Sequence, residues 1–248
     1  MKTRRSRHIV ALGGGGFAME PENPLLDDFI LNLSGKRRPK VCFIPTASGD
    51  SDTVVVRFYR CFDSARCTPS HLSLFGGRLP DLTKFLCGQD VIYVSGGNTA
   101  NMLAVWRVQA MDKALAAARR KGVVLCGVSA GGMCWFEGGI TDSFGSTLSP
   151  LRDGLGFLKG AFCPHYDGEA ERRLALHREV RRSFLPTLAA DDGVGLHFVG
   201  TRFVEAVSSR PQARAYRVQL VNGKAVETPI PPRYLGTARR TQREDPIE

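Results

Sequence analysis

A chain of 248 residues with 43% hydrophobic content is long enough to bury the core of one large α/β domain. It holds no run near the ~20 apolar residues of a membrane span, which argues against a membrane partner. Its net charge of +10 is carried by clusters without interleaved aromatics or a nucleic-acid motif, so a solvated surface that attracts acidic small molecules is expected, and nucleic acid is not.

Met1 to Arg7 is basic, but the apolar run after it is broken by Gly13 to Gly16 with no small-residue cleavage pattern, so no export signal is expected. His8 to Leu12 reads as a strand, followed by Gly13-Gly14-Gly15-Gly16-Phe17-Ala18, a match to the G-x-G-x-x-A fingerprint. Pro21 and Pro24 spoil the helix that would receive a pyrophosphate, so this loop is expected to form a pocket wall. Residues 24–33 have helical spacing, and Lys40 to Pro45 is a second strand. Asp52 is expected to cap a helix over 53–62. A strand is predicted at His71 to Phe75, a helix at 81–87 and a strand at Val91 to Val94. Helices are predicted over 100–107 and 108–121. Strands alternating with helices imply a parallel sheet covered on both faces, with ligand-binding loops at the carboxyl ends of the strands.

Val123 to Cys126 is an apolar run entering Gly127-Val128-Ser129-Ala130-Gly131-Gly132, the pattern of a nucleophile elbow. The glycines permit a strained turn, and the Ala130 N–H at the new helix N-terminus is placed for an oxyanion. Beyond the elbow, residues 135–149 are rich in Gly, Ser and Thr, and 171–185 read as a charged amphipathic helix. Strands are predicted at 187–190 and 193–199, separated by Asp191-Asp192, and an antiparallel, hairpin-rich end at 202–221 closes on the turn signal Asn222-Gly223. The Pro- and Arg-rich segment 229–248 is expected to be loose.

A serine nucleophile needs a base, and the base an orienting carboxylate. Of five histidines, His165 is the best placed, in a polar loop after Pro164 with Tyr166 and Asp167 beside it. Asp142, Asp167, Asp191 and Asp192 all lie in suitable loops, and position alone does not choose among them. Seven scattered cysteines without a C-x-x-C pair suggest buried, reduced thiols in a cytoplasmic protein, with no metal site and no cofactor.

Gly96-Gly97-Asn98-Thr99, Trp106-Arg107, Gly127 to Gly132, Thr141-Asp142-Ser143 and Pro164-His165-Tyr166, in that order, resemble the peptidase E family of serine peptidases, α-aspartyl dipeptidases and their relatives. The resemblance covers roughly residues 8–222. It implies a mostly parallel sheet flanked by helices, of class I glutamine amidotransferase-like (flavodoxin-like) type, here as one domain over 8–228 with a small antiparallel C-terminal portion. It implies Ser129 as nucleophile, His165 as base, and the N–H groups of Gly97 and Ala130 as oxyanion donors. Asp142 matches an aspartate counted as catalytic in the family. Asp192 stands where the family carries a glutamate, and its place at a strand end favours it as the partner of His165. Asn98, Arg172 and Arg173 are substrate-binding candidates, the arginines as cations for an N-terminal aspartate. The activity implied is hydrolysis of short peptides through an acyl-enzyme, with a homodimer as one assembly open to it. A catalytically silent small-molecule-binding protein of the same fold is the alternative.

Overall fold

The computed structural model describes residues 6–76 and 79–236. The elements are β1 (His8–Leu12), α1 (Leu25–Asn32), β2 (Lys40–Ile44), α2 (Asp52–Cys61), β3 (Thr68–His71), α3 (Leu82–Cys87), β4 (Val91–Val94), α4 (Thr99–Val108), α5 (Met111–Lys121), β5 (Val124–Val128) and α6 (Ala130–Met133). They continue with β6 (Phe136–Thr141), β7 (Ser149–Leu151), β8 (Leu158–Cys163), α7 (Ala170–Arg181), β9 (Thr187–Ala190), β10 (Val194–Val199), β11 (Arg202–Ser208), β12 (Ala215–Val221), β13 (Lys224–Ile230) and β14 (Arg233–Tyr234). Among the described residues no helix is long and apolar enough to cross a membrane.

The strands form two sheets. The larger runs β14-β11-β10-β1-β5-β4-β2-β3, and its half from β1 to β3 is parallel throughout. The period-two alternation of a strand buried on both faces divides its side chains. Ile9, Ala11, Ile44, Ile92 and Leu125 face one apolar cluster with Trp106 and Leu115 of the helices. Val10, Leu12, Phe43, Tyr93 and Cys126 face the other, with Phe17 and Phe58. Beyond β1 the pairing turns antiparallel through β10 and β11.

The second sheet runs β13-β12-β9-β8-β6-β7 and mixes parallel with antiparallel pairs. It is larger than the small antiparallel end expected from sequence, because residues 136–141 and 149–151 are strands and not a loop. Its inner face packs Phe136 and Phe162 on the first cluster; its outer face packs Ile140, Ala161 and Val218 under Leu176 and Val180 of α7.

Three local expectations change. Ser51, not Asp52, is the N-cap of α2, and its side chain makes no capping bond. The strand predicted at His71 to Phe75 lies instead at Thr68–His71, a polar edge strand on β2, while Leu72 and Leu74 turn into the core from a loop. The segment expected to be loose from residue 229 is structured through 236: β13 runs to Ile230, and β14 pairs parallel with β11. Residues 237–248 lie outside the described part.

Among the described residues the chain crosses between the sheets four times, from β5 through α6 to β6, from β9 to β10, from β11 to β12, and from β13 to β14. The first crossing carries Ser129 and the second carries Asp191-Asp192.

Candidate active site

Ser129 sits at φ 54°, ψ −112°, a region that L-residues avoid, between the end of β5 and the first turn of α6. Its N–H is held by Leu12 O at 3.0 Å, and its carbonyl accepts from Gly132 and Met133. A side chain at Gly127 would collide with the Gly131 carbonyl, and one at Gly131 with that of Val94. The glycines thus let two strands and a helix converge under the serine. Among the described residues the N–H groups of Ala130 and Gly97 have no acceptor. Gly97, at φ 135°, packs so tightly on Ala47 that no other residue fits there.

His165 is reached from the other sheet. It follows β8 at φ 50°, a second strained non-glycine residue. Its N–H donates to Gly13 O at 3.1 Å, and its Nδ1 lies 2.6 Å from Asp192 Oδ1. An ionised carboxylate only accepts, so Nδ1 carries the hydrogen and a neutral ring leaves Nε2 with its lone pair. The pair is mostly buried, with side chains 15% and 11% exposed. The Asp192 N–H is held by Asp167 Oδ1 at 2.8 Å, and Gly193 N–H by Gly14 O at 3.1 Å. Any side chain at Gly14 would strike the Asp192 carboxylate. At Gly168 it would come within 2.6 Å of Asp192 Oδ2. The Gly13–Gly16 loop is therefore a floor under the His165–Asp192 pair, followed only by a short 3-10 turn at Gly16–Ala18. The neighbouring Asp191 is pushed up to about 6 by burial, against a hydrogen bond from the Arg214 N–H, and serves the β11–β12 connection.

A cleft of about 290 Å³ is lined by Gly97, Asn98, Ser129, Asp142, Glu169 and Arg172. Asp142 is exposed, and among the described residues its carboxylate has no hydrogen-bond partner. The turn that holds it is pinned to the start of α4. Ser143 Oγ accepts from Thr99 N–H at 2.9 Å, and Asn98 Nδ2 donates to Ser143 O at 3.1 Å. Asn98 also caps α4 through Oδ1. Arg172, only 3% exposed, gives Nε to Glu169 and Nη1 to Ile140 O, and among the described residues its Nη2 has no hydrogen-bond acceptor. Arg173 does not reach the cleft: it lies over the rings of Tyr166 and Tyr216 and pairs with Glu227. Sequence reasoning missed Glu169 on the cleft wall and the packing role of Gly14 and Gly168; a glycine facing a His–Asp pair from a distant segment leaves no local signature.

The remaining histidines serve structure. His8 and His197 stack on each other at the far end of β1, both lowered by burial. His71 bonds Tyr59, and His177 bonds Tyr166 and Glu227.

The family model described as peptidase family S51 matches residues 9–206. The uncharacterized peptidase YgaJ of Bacillus subtilis (strain 168) is 51% identical over 231 residues, which span 93% of this chain and 100% of that relative. The chain belongs to peptidase family S51. It is a peptidase of a serine peptidase family. Among solved structures, a candidate peptidase E protein from Listeria monocytogenes EGD-e superposes with TM-score 0.61 at 18% identity, covering 82% of this chain and 98% of that one. A peptidase from an acI-B1 Actinobacterium superposes with TM-score 0.66 at 16% identity, covering 91% and 95%. At those identities the likeness carries the fold alone, and it places this S51 peptidase among flavodoxin-like α/β proteins.

Proposed function

We propose that this S51 peptidase is an exopeptidase for short peptides, working through Ser129, His165 and Asp192. The observation that carries the reading is the 2.6 Å bond from His165 Nδ1 to Asp192 Oδ1, which leaves Nε2 free to act as a base, while the Ser129 and His165 N–H groups are held by the consecutive carbonyls of Leu12 and Gly13. In this reading Nε2 takes the Ser129 proton as Oγ attacks the scissile carbonyl. The N–H groups of Gly97 and Ala130 hold the oxyanion, worth about 3 kcal/mol each in a preorganised site. His165 then protonates the leaving amine, and water resolves the acyl-enzyme with the same imidazole as base. The left-handed backbone at His165 and the bare glycines at 14 and 168 let an aspartate do what a longer glutamate does elsewhere in the family.

Asp142 acts on the substrate in this reading and not on His165. An unpaired carboxylate beside Ser129 suits a free α-ammonium group, which restricts the enzyme to unblocked N-termini. Arg172, with Nη2 uncommitted, is the cation for an N-terminal aspartate; Arg173, spent on Glu227, is not. A cleft near the lower end of ligand-pocket sizes favours dipeptides over extended chains. All seven cysteines are free thiols, five of them buried, which supports a reducing cytoplasm.

A fluorophosphonate probe tests the nucleophile: it labels folded wild-type protein at Ser129 and leaves Ser129→Ala unlabelled. No label on the wild type sinks the triad. Asp-Leu hydrolysed faster than Ala-Leu and Leu-Leu supports the aspartyl preference, and equal rates remove it.

A further inference from the structure

The residue after the base is tied to the last hairpin of the fold. Tyr166 is 2% exposed and packs with Leu176, Ala189 and Val218. Its hydroxyl donates to Glu227 Oε2 at 2.5 Å and lies 3.2 Å from His177 Nε2, which is itself 3.1 Å from the same carboxylate oxygen. Arg173 closes the group. Its guanidinium lies 4.7 Å from the centre of the Tyr166 ring and 5.0 Å from that of Tyr216, and it meets Glu227 Oε1 at 3.4 Å. Both oxygens of Glu227 are thus engaged. Glu227 stands on β13, outside the residues 9–206 that the family model matches.

The arrangement bears on His165 through the backbone. A left-handed non-glycine residue persists only where its surroundings over-determine it. Gly13 O fixes the His165 N–H, and Ala190 O fixes the Tyr166 N–H, both at 3.1 Å. The Tyr166 ring, pinned at its hydroxyl, sets the direction in which the chain leaves His165. With that end free, the peptide between the two residues is able to relax toward ordinary φ, and the imidazole swings off Asp192. We infer that Tyr166 and Glu227 are positioning residues for the base, with the β12–β13 hairpin acting as a brace that holds His165 on Asp192. The inference rests on the reading of His165 as base.

The test uses the full-length protein and the second-order rate of fluorophosphonate labelling at Ser129, which reads base-assisted nucleophilicity whatever the natural peptide is. Tyr166→Phe removes one oxygen and keeps the packing. Glu227→Ala removes the acceptor, and Glu227→Gln keeps an oxygen for the tyrosine. Tyr166→Phe and Glu227→Ala are expected to label about tenfold slower, the scale of a slightly misplaced catalytic group, with Glu227→Gln within about twofold of wild type. Where a dipeptide is turned over, kcat falls and KM holds. Wild-type rates in Tyr166→Phe and Glu227→Ala, alongside a slow His165→Ala, overturn the brace alone. A fast His165→Ala overturns the base and the brace together. Rates that follow the melting temperature across all variants, Glu227→Gln included, reduce the cluster to a structural role and also overturn the inference.

Discussion

Two turns of this molecule do the same geometric work by opposite means. At the end of β5, and again after β8, the chain bends through a left-handed non-glycine residue, Ser129 at φ 54° and His165 at φ 50°. The first bend is built locally. Gly127, Gly131 and Gly132 strip the elbow of side chains, and three backbone bonds within six residues or to β1 complete it. The second is built at a distance. Its supports are Gly13 O, Ala190 O and the Asp192 carboxylate, contributed by segments far away in the chain. Strain held by neighbours in sequence is legible and robust; strain held by remote partners is hidden and adjustable.

Removing the group that each bend presents is expected to have the largest effect. Under the proposed triad, Ser129→Ala and His165→Ala should each lower kcat/KM by about 10,000-fold or more, and the double variant should lose little beyond either, because a nucleophile and its base act as a unit. A double variant that multiplies the losses breaks the pairing. Next comes Asp192→Asn, which keeps the shape but offers His165 the wrong hydrogen-bonding partner; kcat should fall by about 1,000-fold or more with KM little changed. Asp142→Asn should do the reverse and raise KM for free dipeptides, and an outcome in which the two exchange signatures reassigns the carboxylates.

The comparison sharpens with paired glycine variants. Gly14→Ala drives a methyl into the Asp192 carboxylate, so activity should fall by about 100-fold. Gly131→Ala drives one into the Val94 backbone carbonyl, so folding should suffer first, read as lost soluble protein or a lowered Tm. Equal effects of both on Tm and kcat would dissolve the distinction between the two bends.

A smaller effect concerns the ground beneath the glycine floor. Asp27 is 2% exposed under Gly16 and Tyr93, and burial, opposed by Arg66, pushes its carboxyl up to about 7. In the unfolded chain the group titrates near 4. Between those values the native state keeps a proton that the unfolded state has lost, so stability falls as pH rises from about 4 to 7 and stays reduced above. Asp27→Asn should therefore gain unfolding free energy over wild type increasingly from pH 5 to pH 8, by on the order of a few kcal/mol at the top, read by denaturant titration. A gain independent of pH refutes the assignment. The least effect is expected of Asn98→Ala. It removes the α4 cap and the tie to Ser143, and should cost about 1 kcal/mol of stability.

What could be read from sequence follows the same division. The parallel half declared itself through β-branched apolar runs ending in small polar loops, and the elbow through its glycines. The strand β6 stayed hidden because Gly138 and Gly139 give Phe136–Thr141 the look of a loop; there the glycines are required by Leu151 O and the Met133 side chain. The edge strand β3 was displaced because Thr68-Pro69-Ser70-His71 has no apolar pattern, whereas Leu72 and Leu74 beside it have one without pairing. Arg172 and Arg173 were equal candidates in sequence. One residue turns a helix by about 100°, enough to send the first under β6 and the second over Tyr216.

The central place of β1 has a consequence for how the two sheets and the His165–Asp192 pair come together. This strand pairs with residues 125–128 on one side and 195–199 on the other, so its second edge stays open until a segment far along the chain joins it. Asp192 and Glu227 both lie well C-terminal to Ser129. A chain truncated before Asp192 exposes one edge of β1 and leaves His165 without its carboxylate. The His165–Asp192 pair therefore depends on the same segment that closes the sheet beside β1.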